Sequence, residues 1–305
     1  MNFTAKDVAA LRERTGCGMM DCKKALTEAD GDPEKAIEVL REKGLAKAAK
    51  KAGRIAAEGV AYAVVDPAKK VGVVIEVNAE TDFVARNEQF KELVNTCAAL
   101  VLEKNPATVE ELMALDAGGK TVEALFQEKI MTIGENLKVR RFERMEGDLV
   151  SYVHAGGAIG VLVRFETDVA DREGFAQYGK DIAMQVAAMN PTFVRRDEIP
   201  ADTVAKEKEI VVAEIKNDPK MAQKPAQVIE KMVEGRLNKQ FFATACLEDQ
   251  PFVKGDKETV AQYTAATAKA LGGSIRIDRF IRFEKGEGIE KKADDFAAEV
   301  ASMIK

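Results

Sequence analysis

The sequence predicts an α+β protein built on an internal duplication. The expected order is an N-terminal three-helix domain, two related α+β core subdomains with antiparallel sheets, a helical hairpin (coiled coil) inserted in the second, and a C-terminal helix. Three observations predict it. Apolar residues recur at helical spacing through the first 45 residues, and from Gly59 the period changes to two. An order of strand, strand, helix, strand then recurs: Val71-Gly72-Val73-Val74 aligns with Ile159-Gly160-Val161-Leu162, Glu80-Thr81-Asp82 with Glu166-Thr167-Asp168, and Phe90 with Phe175, at offsets of 88, 86 and 85.

The elements follow from local chemistry. Thr4-Ala5-Lys6-Asp7 has the form of a capping box, a hydroxyl at the N-cap and an acid three residues on. Val8 and Leu11 give the first helix its face, and Gly16 stops it. Met19 to Ala29 is the second helix, ended by Asp30-Gly31. Asp32-Pro33 places a cap before a proline at the first helical position. Ala36, Ile37 and Leu40 follow at helical spacing, and Gly44 closes the helix. Helices this short are marginal alone and must pack on one another. The pattern Gly31-Asp32-x-x-x-Ala36-Ile37-x-x-Leu40 resembles ubiquitin-associated-type three-helix domains. Lys43, Lys47, Lys50, Lys51 and Arg54 form a basic linker, helical or flexible, that ends this first domain at residue 54. Residues 1–54 hold 12 basic and 9 acidic side chains, so they carry +3 and the remainder −8. That excess is small against the phosphate contacts of nucleic-acid binders. It reads as a solvated helix or a surface for an acidic protein, and no direct nucleic-acid contact is expected.

Core subdomain N spans 55–146. Val60 to Val65 and Val71 to Val77 read as strands about a turn at Asp66-Pro67. Asn87 caps a helix with Phe90, Leu93, Val94, Cys97 and Val101 on one face, and a strand follows around Leu137 to Phe142. Core subdomain C spans 147–285, with strands at Leu149 to Val153 and Ile159 to Phe165 and a helix at Phe175 to Met189. Its closing strand, Phe280-Ile281-Arg282-Phe283-Glu284, matches Val139-Arg140-Arg141-Phe142-Glu143 of the first copy. The insertion, about 200–240, reads as two helices broken at Asn217-Asp218-Pro219. Their narrow apolar stripes (Val204, Val211 and Ile215; Ile229, Met232, Val233 and Leu237) suit an antiparallel coiled coil. Such a hairpin serves either as a stabilising protrusion or as a dimer or partner contact. Residues 286–305 form a glycine-hinged terminal helix with Phe296, Val300 and Met303 on one face.

Composition excludes most chemistry. The 305 residues contain one histidine, His154, no tryptophan, and a formal net charge of −5. Cys17-x4-Cys22 has no partner pair for a zinc site. No phosphate-binding glycine loop or dinucleotide fingerprint is present. Cys17, Cys22, Cys97 and Cys246 are too scattered for a disulfide framework. No apolar run approaches membrane-spanning length, and the chain enters helical patterning without a signal or transit segment. The expectation is a cytoplasmic protein that works by binding, without cofactor, metal or catalysed reaction.

The sharpest segment is Asn78 to Asn87, where Asp82 and Phe83 lie between a strand end and a helix start. Two readings stand on pattern alone. In one, Asp82 caps the connection and Phe83 fills the core. In the other, both serve a partner. The second copy keeps the acid, Asp168, but has Val169 in place of the aromatic, so the acid reads as structural in both copies and Phe83 as the feature of the first.

Thr81-Asp82-Phe83-Val84-Ala85-Arg86 resembles the central motif of the translation elongation factor Ts family. Arg12 to Leu26, Ile133-Gly134-Glu135-Asn136, Val233-Glu234-Gly235-Arg236, Gln250-Pro251-Phe252-Val253 and Gly286 to Lys291 match in order along the whole chain. The resemblance implies a guanine-nucleotide exchange factor whose partner is elongation factor Tu, a GTPase. It implies that Thr81, Asp82, Phe83 and Val84 form a partner-binding motif in which Asp82 and Phe83 wedge near the partner's Mg²⁺ and phosphate site. It also implies that Arg12, Met19, Met20 and Lys23 grip the nucleotide domain, that His154 and Val253 contact another domain, and that the C-terminal helix docks as well. Of the methionines, Met20 reads nearer the core and Met19 nearer the surface; Cys22 reads as helix packing. Self-association through the core or the hairpin stays open. So do two other functions: an adaptor working through residues 1–54, and an enzyme built on His154 with a cysteine.

Overall fold

The computed structural model describes residues 2–290. The terminal helix expected beyond Asp294 lies outside the described residues. Helices α1 (Ala5–Thr15), α2 (Met19–Glu28) and α3 (Pro33–Lys51) pack around Leu11, Cys22, Leu26, Ala36 and Leu40. The capping box of Thr4 and Asp7 forms, and Asp32 caps α3 by accepting from the N–H groups of Glu34 and Lys35. Gly44 does not end the third helix. It is buried, and a Cβ there would meet Met131 Sδ at 3.1 Å. The glycine admits a neighbouring helix, and α3 runs on to Lys51. The basic stretch is therefore helix as far as Lys51.

Strands β1 (Glu58–Asp66), β2 (Val71–Ala79) and β3 (Lys138–Glu146) form one antiparallel sheet in that order. The second, β4 (Asp148–His154), β5 (Ile159–Thr167) and β6 (Ile275–Glu284), repeats the topology. Between β2 and β3 run α4 (Asp82–Ala85), α5 (Glu88–Lys104), α6 (Val109–Ala114) and α7 (Val122–Ile133). Between β5 and β6 run α8 (Phe175–Met189), α9 (Ala201–Asn217), α10 (Pro219–Ala222), α11 (Ala226–Arg236), a π-helical stretch (Leu237–Phe242), α12 (Ala243–Ala245) and α13 (Val260–Leu271). Sequence reading did not assign α6, α7 or α13. Each begins at a threonine N-cap (Thr108, Thr121, Thr259), and Thr259 with Gln262 completes a capping box.

Alternation along the strands gives each sheet two apolar faces. Val73, Ile75 and Val77 meet Phe90, Leu93 and Phe126 of the helices. Val161, Val163 and Phe165 meet Tyr178 and Ile182 likewise. The opposite faces meet each other through Ala61, Ala63, Val74, Leu162, Ile281 and Phe283. The sheets thus lie back to back, with helices outside. Gly72 and Gly160, equivalent in the two copies, let them approach. A Cβ on Gly72 would come within 2.8 Å of Leu162 Cδ1, and one on Gly160 within 3.0 Å of the Ala61 carbonyl carbon and oxygen.

The copies share a further irregularity. The β2–β3 register shifts between Glu76 and Val77, and the β5–β6 register between Arg164 and Phe165. Each irregularity carries an ion pair, with the charges exchanged: Glu76 with Arg140, and Arg164 with Asp278. Glu76 is fully buried. Its carboxylate accepts from Asn78 Nδ2 (3.0 Å), Arg140 Nη1 (3.0 Å), Arg141 Nε (2.7 Å) and the Gly286 N–H (2.7 Å). Gly286 has φ 70°, and a Cβ would lie 2.1 Å from the Ala57 carbonyl oxygen. The segment after β6 is so latched to the first sheet. Burial raises the Glu76 pKa, but the four donors outweigh it and hold the carboxyl below its ordinary range.

The insertion is a pair of helices, α9 and α11, joined through α10. Val211 and Ile215 pack with Val233 and Leu237. Among the described residues no helix is long and apolar enough to cross a membrane.

Two outcomes follow from this packing. Gly160→Ala is expected to cost about 1–3 kcal/mol, and more than Gly72→Ala, because a methyl at 160 meets backbone while one at 72 meets side-chain ends. Denaturant titration checks this, and an equal or smaller loss at Gly160 would refute it. Glu76→Gln strands two partly buried guanidinium groups and is expected to cost about 3 kcal/mol. Because the folded pKa of Glu76 is lowered, its contribution is complete above the ordinary value of 4.5 and lost as pH falls through the folded value. Unfolding midpoints of parent and variant should therefore differ at neutral pH and converge on acidification.

Candidate functional site

The segment from Glu80 to Asn87 leaves β2 and enters α5 through the single turn α4. Val84 and Ala85 face inward and are buried among the first subdomain's apolar side chains. At about 100° per helical residue, the preceding pair is then turned outward. Phe83 is 79% exposed, the most open of the large apolar side chains described. It does not fill the core. Asp82 does not cap the turn either: the N-cap is Thr81, and Asp82 pairs with Arg86 at 3.3 Å. Leaving a phenylalanine in water forgoes about 1.5–3 kcal/mol of burial, so local folding gives no reason for its placement.

The turn is held by the connection that leads into β3, the strand paired with β2. Glu135 Oε2 accepts from the N–H groups of Glu80 (3.0 Å) and Thr81 (2.9 Å), and Oε1 accepts from the Thr81 hydroxyl (2.6 Å). In return, Glu80 Oε1 accepts from the Asn136 N–H at 2.6 Å. Asn136 Nδ2 donates to the carbonyls of Arg54 (2.8 Å) and Ala52 (3.4 Å), just beyond α3.

The second copy solves the same problem differently. Asp168 Oδ1 accepts from Ser274 N–H (2.6 Å) and Oγ (3.1 Å), and Val169 is buried. The Ser274 backbone donor, then its hydroxyl, lower the Asp168 pKa. The duplicated acid is thus structural in the second copy only. In the first, Glu135 supplies the clamp from the connection between α7 and β3 and leaves Asp82 on the surface.

Arg12, Met19, Met20 and Lys23 are all exposed around the α1–α2 junction. Met20, at 62%, is more open than Met19, at 44%, the reverse of the expectation. Helix α2 buries Cys22, Ala25 and Leu26, and Met19 lies three and seven residues before the first and last of these, nearer that face. Cys22 is packed in the module's core, as expected.

His154 ends β4 on the surface, its Nδ1 2.9 Å from the Tyr152 hydroxyl. Val253 is 47% exposed in the loop before α13. Buried Gln185 holds that loop: its Oε1 accepts from the Val253 N–H (2.9 Å), and its Nε2 donates to Gln250 Oε1 and the Pro251 carbonyl (each 3.1 Å). Phe252 stacks on Tyr263 at 4.1 Å. Asp181 accepts from Lys254 and from the Tyr263 hydroxyl; burial first, then this carboxylate, push Tyr263 up to about 12. Glu135, Asn136, Asp181 and Gln185 were not found as site-forming residues from sequence. Glu135 and Asn136 fall in the matched stretch Ile133 to Asn136, which gave them no role, and Asp181 and Gln185 are polar positions on the buried face of α8. Among the described residues no group of three or more His, Cys, Asp or Glu is placed to hold a metal ion.

The family model described as Elongation factor TS matches residues 80–287. An elongation factor Ts of Trichlorobacter lovleyi is 49% identical over 311 aligned positions, covering 99% of this chain and 98% of the relative. One of Clostridium perfringens is 50% identical, covering 99% of each chain, and one of Clostridioides difficile is 47% identical, covering 100% of this chain and 99% of its own. With similarity of this depth from end to end, and the exposed Thr81–Val84 turn inside the matched region, the chain belongs to the elongation factor Ts family.

Proposed function

We propose that the chain is a guanine-nucleotide exchange factor for elongation factor Tu in translation elongation. It binds the GDP-bound partner, drives Asp82 and Phe83 between elements near the Mg²⁺ and phosphate site, and so releases GDP for GTP to bind. The observation that carries the reading is the 79% exposure of Phe83 on a turn held by polar clamps. In this reading Thr81 and Val84 shape the turn. Arg12, Met19, Met20 and Lys23 grip the nucleotide domain, methionine being adaptable at a binding surface. His154 and Val253 contact a different domain of the partner.

Energetics support a distributed grip. An exchange factor binds the nucleotide-free partner more tightly than the GDP form, and by linkage GDP weakens the factor equally. Burying one phenylalanine supplies about 1.5–3 kcal/mol, about one to two decades in affinity. The acid adds by competing around a Mg²⁺ held largely by phosphates and water. The remainder must come from contacts elsewhere.

The reading divides the chain into a ubiquitin-associated-like module with its basic linker (1–54), core subdomains N (55–146) and C (147–285), the coiled-coil hairpin (about 200–240), and a C-terminal module (286–305). The factor acts in the cytoplasm, by binding, without a cofactor or nucleic-acid contact. Self-association, through the core or the hairpin, would be settled by sedimentation.

Release of a fluorescent GDP analogue from elongation factor Tu, chased with unlabelled GDP, tests the proposal. The parent chain should accelerate release. Phe83→Ala should lose about ten- to a hundred-fold at limiting factor, and Asp82→Ala/Phe83→Ala more, with folding retained because both side chains face water. No acceleration by the folded parent chain would refute the reading.

A further inference from the structure

We propose that Glu135 is the positioning residue of the exposed turn: from the end of α7 its carboxylate holds Glu80 and Thr81 in the geometry that starts α4, and so keeps Phe83 presented before a partner arrives. The inference deepens the exchange reading and rests on it.

A helix of four residues has too few internal hydrogen bonds to sustain itself. Its N-cap, Thr81, has the extended backbone of a capping residue (φ −126°, ψ 157°) but makes no side-chain cap bond. The hydroxyl that would cap the turn is given instead to Glu135 Oε1 at 2.6 Å. The other oxygen takes the two successive N–H groups of Glu80 and Thr81. Three donors thus converge on one ionised acceptor, an arrangement that gives short and strong bonds. Inward Val84 and Ala85 anchor the far end of the turn.

The exchange of partners is reciprocal. Glu80-Thr81 offers backbone donors to the Glu135 carboxylate, and Asn136 offers its own to the Glu80 carboxylate. Nothing apolar holds Phe83 where it is, since most of its surface faces water. Without Glu135 the turn gains conformational freedom, and the entropy of ordering it falls on the step in which the partner's site is forced open. The second copy provides the contrast. There the acid of the turn makes the clamp itself, to Ser274, and the neighbouring residue, Val169, is buried. Moving the clamping carboxylate to position 135 is what frees both Asp82 and Phe83 to face outward.

The same node reaches the first module. Asn136 Nδ2 holds the carbonyls of Ala52 and Arg54, Arg54 Nη1 approaches Glu80 Oε2 at 3.5 Å, and Lys51 Nζ donates to the Gly134 carbonyl. Glu135 and Asn136 therefore set the turn and the root of the three-helix module against one another.

The test compares Glu135→Ala, Glu135→Gln and the parent chain in GDP-analogue release from elongation factor Tu over a range of factor concentrations, with hydrogen–deuterium exchange across residues 80–86. A glutamine can accept both N–H groups on its carbonyl oxygen and donate to the Thr81 hydroxyl, so it preserves the geometry without the charge. The expected result for Glu135→Ala is a saturating release rate about ten-fold lower, a half-saturating concentration within about three-fold of the parent, and faster amide exchange at 80–86. Glu135→Gln should stay within about three-fold of the parent in rate and keep the amides protected. A folded Glu135→Ala chain with parental rate, or with parental protection at 80–86, overturns the inference. So does a protected Glu135→Gln chain as slow as Glu135→Ala. Should Glu135→Ala fail to fold, Thr81→Ala removes only the hydroxyl arm, and parental rate and protection in that variant overturn the inference. A parent chain that does not accelerate release overturns the exchange reading, and this inference with it; a normal parent beside an unaffected Glu135→Ala overturns this inference alone.

Discussion

The close approach of the two sheets at Gly72, against β5, and at Gly160, against β1, is the constraint on which the rest of the molecule depends. Each three-stranded sheet has two apolar faces, and its own helices cover only one. The other face is covered by the other copy. Side chains larger than hydrogen at these positions would wedge the sheets apart against Leu162 on one side and the Ala61 backbone on the other. The duplication therefore yields one shared core, in which each copy is the other's missing layer. Protein interiors pack too tightly to absorb such a wedge by local adjustment. Displacement there would carry to every element mounted on the sheets, including the loop that presents Phe83.

Departures from the repeat locate the specialised parts. At the irregularity in each sheet, the ion pair is kept and its polarity reversed, Glu76–Arg140 against Arg164–Asp278. The reversal gives the first copy a buried carboxylate able to accept the Gly286 N–H, which the arginine of the second copy could not do. At the turn after the central strand, the clamping carboxylate is Asp168 on the turn itself in one copy and Glu135 in the connection before β3 in the other. In both places the shared geometry is kept while one group differs between the copies. The differing groups tie the segment after β6 and the exposed turn to the same half of the molecule.

Much of this architecture was legible in the sequence, because it rests on local rules. The caps at Thr4, Asp32 and Asn87, the alternation in the strands and the face of α5 each need only a few neighbouring residues. What was not legible depends on pairs far apart. Gly44 reads as a helix stop until Met131 is seen against it. Glu135 falls in the matched stretch Ile133 to Asn136, but its task is not visible until its bonds to Glu80 and Thr81, more than fifty positions away, are traced. Asp82 and Asp168 are indistinguishable by type, and only the identity of the opposing residue, Glu135 or Ser274, decides which faces water. The misjudged order of Met19 and Met20 has a nearer cause: the α2 face is defined by Cys22 and Leu26, and counting back from them puts Met19 on the inward side. Phe83 was singled out by pattern, but its orientation was set by Val84 and Ala85 beside it.

The exposed apolar residues of the candidate site share one property. Phe83 sits on a turn clamped by Glu135, Val253 on a loop clamped by Gln185, and the two methionines at the start of a helix whose opposite face is buried. None is on a free-swinging loop. In the proposed reading, a surface that distorts its partner benefits from such stiffness, because energy from each contact is otherwise consumed in ordering the contact itself. Each apolar side chain supplies at most a few kcal/mol, about 1.5–3 on full burial. Their effect on one partner thus depends on being engaged together at set spacings. Those spacings are maintained by polar groups, buried Glu76, Asn136 and Gln185 and half-buried Glu135, whose bonds run between segments distant in sequence. In this chain the apolar core determines what folds, and a small number of polar clamps determine how far apart the working surfaces stand.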